Sequence, residues 1–129
     1  MIIDSSALIA IYGSEADARP LWDHIYSSAS KVISAATYLE AGVVALGRDR
    51  RIGLETIRAI VEELAIEICD VTAEQALIAQ EAYLRYGKGL HPAGLNYGDC
   101  FVYALAKARR EPVLCKGAEF GKTDIAVVA

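Results

Sequence analysis

"MIIDSSALIAIYG", residues Met1 to Gly13, joins an apolar run to a helix-like run through one carboxylate, Asp4. The opening residues are too few for a helix and do not alternate with polar ones, so they read as a buried strand ending at Asp4. "SSALIAIYG" reads as a helix, with Ser5 or Ser6 as its cap and Gly13 as its stop. A strand with no polar alternation is covered on both faces, which is the mark of a parallel sheet between layers of helices.

The same unit recurs along the chain. A second helix is expected over Glu15 to Ser28. "KVISA" reads as a second strand and "ATYLEAGVVALG" as the helix after it, stopping near Gly47. "LETIRAIVEELA" repeats Leu54, Ile57, Ile60, Val61 and Leu64 at helical spacing. "IEICDV" alternates apolar and charged residues and is a third strand ending at Asp70. "TAEQALIAQEAYLRYG" carries a capping Thr72 and a terminal Gly87. "KGLHPAGLNYG" is the clearest loop, "DCFVYALAKARR" a helix, "PVLC" a fourth strand and "IAVVA" a candidate fifth. The reading is an α/β fold: a short parallel β-sheet of four to five strands flanked by helices on both faces, in one domain over residues 1–129. There is no internal repeat and no linker.

Composition narrows the function classes. The 129 residues are 54% apolar, which suits one compact domain with its own core and excludes disorder. No apolar run is long enough to span a membrane without a charge or glycine break, and the start lacks the basic segment of a secretory signal. Cys69, Cys100 and Cys115 are odd in number and far apart, so they fit neither a disulfide framework nor a zinc knuckle. All three are expected as buried free thiols in a cytoplasmic protein. A net charge of −4 gives no global basic field for nucleic acid. Local basic groups exist: Arg48, Arg50, Arg51 and Arg58, and then Arg85, Lys88 and His91.

Three apolar segments each carry a lone carboxylate. Asp4 is the only charged residue from Met1 through Ser14, Glu40 the only one from Val32 through Gly47, and Asp99 the only formally charged one from Gly89 through Ala106. Either aspartate has an ordinary explanation as a helix cap. Glu40, inside its helix, has none. In open parallel sheets ligands sit at the carboxyl ends of strands, and there all three can meet in one crevice. Converging carboxylates must be protonated or share cations, and hard oxygen donors select Mg²⁺ or Mn²⁺ over zinc.

"MIIDSSALIAIYG", "SAATYLEAGVVA", "GLNYGDCFVYALAK" and "VLCKGAEFGKTDI" resemble, in order and spacing, the four motifs of PIN-domain ribonucleases. The likeness spans nearly the whole chain and is strongest to VapC-type toxins of bacterial toxin–antitoxin pairs. It implies a PIN-like domain with Mg²⁺- or Mn²⁺-dependent endoribonuclease activity. It also implies a VapB-like antitoxin as partner and a homodimer. Asp4, Glu40 and Asp99 match the family's three main acidic positions, as catalytic and metal-binding residues. Ser6 matches a supporting hydroxyl and Asn96 a residue often beside the third carboxylate. At the fourth acidic position relatives often have aspartate. This chain has Glu119 there, with Asp124 as a second candidate.

On this reading Asp4 and Asp99 hold one ion, while Glu40 with Glu119 or Asp124 holds a second or orients the attacking water. Lys88, His91, Lys116 and Lys122 are expected to meet RNA, and His24 to lie on the surface. "PLWDHIYSSA" and "LETIRAIVEELA", with Trp22 or Tyr26 exposed, form either an antitoxin groove or ordinary core-facing helices. The competing function is a catalytically inactive PIN scaffold that binds RNA or a protein partner. A receiver domain needs a paired early acid, which is missing, and a haloacid-type phosphatase needs an aspartate where Ser6 stands.

Overall fold

The computed structural model describes residues 1–128. Its elements in chain order are β1 (Ile2–Ile3), α1 (Ser5–Tyr12), α2 (Ala18–Ser27), β2 (Val32–Ser34), α3 (Ala35–Arg48), α4 (Gly53–Glu63), β3 (Glu67–Cys69), α5 (Ala73–Tyr86), α6 (Tyr97–Arg109) and β4 (Val113–Leu114), followed by a 3₁₀ turn (Phe120–Lys122). The strands form one parallel sheet in the order β3-β2-β1-β4, with Ile2 opposite both Val32 and Val113. Strand order therefore reverses at β1, and the crevice beyond its carboxyl end is where this architecture places ligands.

Successive strand residues feed opposite layers, as the two-residue period of a strand requires. Ile3, Ile33 and Leu114 join the core under α1 to α4, with Leu8, Ile25, Ile57 and Leu64. Ile2, Val32 and Val113 join the core under α5 and α6, with Leu95, Val102, Leu105 and Phe120. β1, β2 and β4 are buried throughout, whereas β3, at the sheet edge, is not: Ile68 is 45% exposed and Glu67 is exposed. Thus one strand expected to be buried faces solvent: β4 also ends the sheet but lies between the two cores, whereas no residue of β3 is buried in either. The candidate fifth strand is reduced to a single parallel bridge from Val127 to Val113.

Other expectations shift at their edges. α2 starts at Ala18 rather than Glu15, and α6 starts at Tyr97, with Asn96 as its cap. Leu21 and Ile25 of α2, and Ile57, Ile60 and Val61 of α4, are buried. These are core-facing helices, with Trp22 packed against the core and Tyr26 left exposed. His24 is exposed. All three cysteines are free, but only Cys100 is buried; Cys69 and Cys115 are half-buried at strand ends. No helix of the described residues is long and apolar enough to cross a membrane.

The α3–α4 corner depends on close backbone approach. A Cβ on Gly53 would lie 2.6 Å from the Ala45 carbonyl carbon and 3.0 Å from the Leu46 nitrogen. Gly53→Ala should therefore cost about 1–3 kcal/mol, as overpacking does elsewhere, read as a lower urea midpoint at unchanged slope.

Candidate active site

Asp4 leaves β1 as the N-cap of α1. Its main-chain N–H donates to the Leu114 carbonyl at 3.0 Å. Its Oδ2 accepts the Ser6 N–H at 3.1 Å and also the Ser6 hydroxyl. Ser6 Oγ in turn accepts the Lys116 main-chain N–H at 2.9 Å, tying the end of β4 to the start of α1. The cap is therefore Asp4 itself, neither Ser5 nor Ser6. Asp4 is 6% exposed. Burial raises its carboxyl pKa, outweighing the Ser6 hydrogen bonds that lower it, and the Glu40 charge adds to the rise.

Glu40 lies on the second turn of α3, half-buried. Its side chain rests on Gly98 of α6, where a Cβ would fall 2.9 Å from Glu40 Cδ and 3.0 Å from Oε1. Only a residue without a side chain leaves room for that carboxylate. Its place at the first turn of α6 also suits the positive end of the helix dipole.

Asp99 is the third residue of α6 and closes a capping box with Asn96. Its N–H donates to Asn96 Oδ1 at 2.9 Å, and its Oδ2 accepts the Asn96 N–H at 3.0 Å. Burial pushes the Asp99 carboxyl up to about 6, against the Asn96 bond that lowers it, and the charges of Asp4, Glu119 and Glu40 add to the rise. The same crowding acts on Cys115, whose thiol burial, Asp4, Glu119 and Asp99 push to about 11. Cys100 is pushed to about 11 by burial and then Asp99. Both thiols are protonated at neutral pH.

Glu119, the first candidate for the fourth acidic position, is exposed on the loop before the 3₁₀ turn and lies over Gly117, whose φ is 114°; its charge acts on both Asp99 and Cys115. Asp124 belongs elsewhere. It accepts the Tyr103 hydroxyl and the Lys107 ammonium, each at 2.6 Å, with Arg85 at 3.8 Å. Burial alone would raise its carboxyl; Lys107 and Tyr103 hold it below the usual range. Two expected RNA contacts are also engaged within the protein. Lys116 pairs with Glu15 and Asp17, and His91 Nδ1 accepts the Ala93 N–H at 3.0 Å while its ring stands edge-on to Tyr86.

Among the described residues, none of Asp4, Glu40, Asp99 and Glu119 forms an ion pair with Lys, Arg or His. All their donors are hard carboxylate oxygens, the chemistry of Mg²⁺ and Mn²⁺. The donor set thus fits a divalent ion, but its geometry is open. No three His, Cys, Asp or Glu side chains among the described residues are gathered tightly enough to hold one ion as they stand. The two aspartates are engaged by local partners instead, Asp4 by Ser6 and Asp99 by Asn96, while the Glu40 carboxylate lies against Gly98.

Sequence reasoning missed Gly98. Its signal was present: glycine is a poor helix former, yet it stands in the first turn of α6.

Because folding raises the Asp99 pKa from 3.8 to about 6, the native state binds this proton more tightly than the unfolded chain. Stability from this group is present below the unfolded value and is lost as pH rises through about 6. In EDTA, Asp99→Asn should stabilise the protein by on the order of 1–2 kcal/mol at neutral pH, an advantage that vanishes in acid, measured by urea unfolding at both pH values.

The PIN-domain family model matches residues 1–126. The Ribonuclease VapC of Mycolicibacterium smegmatis is 44% identical over 128 residues, covering 99% of each chain. Ribonuclease VapC30 of Mycobacterium tuberculosis is 43% identical over 129 residues, covering 100% of this chain and 98% of that one. A toxin–antitoxin complex from Klebsiella pneumoniae contains a chain of the same fold, with a TM-score of 0.75 at 16% identity, covering 98% of this chain and 95% of that one. With its fold, its acidic crevice and its relatives in agreement along nearly the whole length, the chain belongs to the PIN-domain family, among the VapC ribonucleases.

Proposed function

We propose that this protein is a metal-dependent endoribonuclease, the toxin of a toxin–antitoxin pair, that hydrolyses RNA phosphodiester bonds by an activated water. The observation that carries the reading is a group of carboxylates, Asp4, Glu40, Asp99 and Glu119, that no Lys, Arg or His among the described residues pairs with, while burial and their mutual charges raise the Asp99 carboxyl. Such crowding is unfavourable in the free protein and becomes useful when a divalent cation is shared. Asp4, Asp99 and Glu40 are the residues that would hold Mg²⁺ or Mn²⁺, with Glu119 at the open edge. When bound, the ion supplies charge neutralisation at the scissile phosphate and an acidified water.

The chain's own residues supply placement. Ser6 and Asn96 orient Asp4 and Asp99, and Gly98 leaves the space that brings Glu40 to them. Asp124 orients no part of this site and instead braces α6 through Tyr103 and Lys107. The complete acidic set speaks against a scaffold kept only for binding.

A VapB-like antitoxin is the partner we propose, in keeping with the VapC names of the relatives. We propose a homodimer as well, for which the exposed Leu77, Leu84 and Tyr97 offer apolar surface. The proposed location is the cytoplasm.

Sequencing RNA ends after expression of the wild type and of Asp99→Ala tests the activity. New ends should appear with the wild type only, and identical profiles would remove the nuclease reading. In vitro, EDTA should abolish cleavage and excess Mg²⁺ restore it, while Asp4→Asn lowers the rate by about 10²-fold or more. Gly98→Ala separates placement from folding. It displaces only the end of a flexible side chain, so stability should change by less than about 1 kcal/mol, while cleavage falls about tenfold or more.

A further inference from the structure

Lys116 is the cation placed to spoil the acidic site. Its main-chain N–H is hydrogen-bonded to Ser6 Oγ at 2.9 Å, and that same hydroxyl donates to Asp4. The Lys116 backbone thus stands one hydroxyl away from the buried carboxylate, within the reach of a four-carbon stem. Its ammonium nevertheless points to the other side. It contacts Glu15 Oε1 and lies 3.6 Å from Asp17 Oδ1, both in the turn between α1 and α2. Asp17 Oδ1 is buried and has no hydrogen-bond partner, so this ammonium is its compensating charge. Asp17 does not serve α2 either: it sits at that helix's N-cap position but makes no side-chain capping bond.

We propose that Glu15 and Asp17 are positioning residues that sequester Lys116, keeping its ammonium out of the acidic crevice so that Asp4, Glu40 and Asp99 retain their charge for a divalent ion. The inference rests on the metal reading above. A lysine two residues beyond β4 is otherwise the natural counter-ion for Asp4, because an opposite charge close to a desolvated carboxylate is strongly favoured. Two acids competing for the same ammonium outside the crevice prevent that pairing. The clamp also joins the β4 loop to the α1–α2 turn, over 101 residues of sequence, at the point where Ser6 is held.

A double-mutant cycle read by direct Mn²⁺ binding, using electron paramagnetic resonance of free Mn²⁺, tests the clamp without any turnover. In the wild-type background Lys116→Met should change Mn²⁺ affinity less than about threefold, since the ammonium is already held away. E15Q/D17N should weaken binding about tenfold, the scale on which a neighbouring unit charge acts at a partly buried ionic site. Adding Lys116→Met to that double variant should restore most of the loss. The Lys116 N–H to Ser6 bond is main-chain and survives this change, and thermal unfolding of each variant identifies any that fail to fold. Equal effects of Lys116→Met in the two backgrounds overturn the clamp, as does undiminished binding by E15Q/D17N. Absence of Mn²⁺ binding by the wild type overturns the metal reading and the clamp together, whereas tight wild-type binding with additive variants overturns the clamp alone.

Discussion

A carboxylate buried at the end of the central strand costs free energy that only nearby donors or a cation can offset, and the backbone leaves Asp4 no other place. Its N–H completes the pairing of β1 with β4, and its side chain caps α1. Ser6 supplies two donors to one oxygen, and Lys116 supplies a main-chain donor to Ser6. The remaining desolvation is still large enough to raise the Asp4 carboxyl. The crevice is built around that unrelieved charge. Glu40 and Asp99 are brought towards it by α3 and α6: the Glu40 charge adds to the rise of Asp4, and the Asp4 charge to that of Asp99.

Local chemistry and long-range packing contribute differently to this arrangement. Caps are settled within a few residues: Ser6 for Asp4, Asn96 for Asp99. Convergence is settled by the sheet, whose order reversal at β1 opens the crevice, and by one missing side chain at Gly98 that admits Glu40. Asp4 and Asp99 are thus each held by their own neighbours, and the carboxylates share an electrostatic field without closing on one point.

Much of this was legible in the chain. Unbroken apolar runs marked β1, β2 and β4 as buried, and lone charges inside apolar segments marked Asp4, Glu40 and Asp99. The exposure of β3 was only half legible: "IEICDV" alternates apolar and charged residues, but nothing in it says that Ile68 too is left uncovered. The choice between Glu119 and Asp124 was equally closed to sequence reading. Asp124 is claimed by Tyr103 and Lys107, 21 and 17 residues away, and only the packing of the loop against α6 reveals it. Lys116 was assigned to RNA on its loop setting, yet its partners lie at the other end of the chain.

By itself the sequence determined the layered α/β architecture, the capping signals and which carboxylates were out of place. These rest on periodicity and on the cost of burying charge, both of which act over a few residues. The tertiary structure alone decided that Tyr103 and Lys107 engage Asp124, what room Glu40 has beside Gly98 and which way the Lys116 ammonium turns. Those outcomes depend on contacts between different elements of the chain, from 17 to 101 residues apart, and electrostatics in a partly buried site changes sharply over a few ångströms.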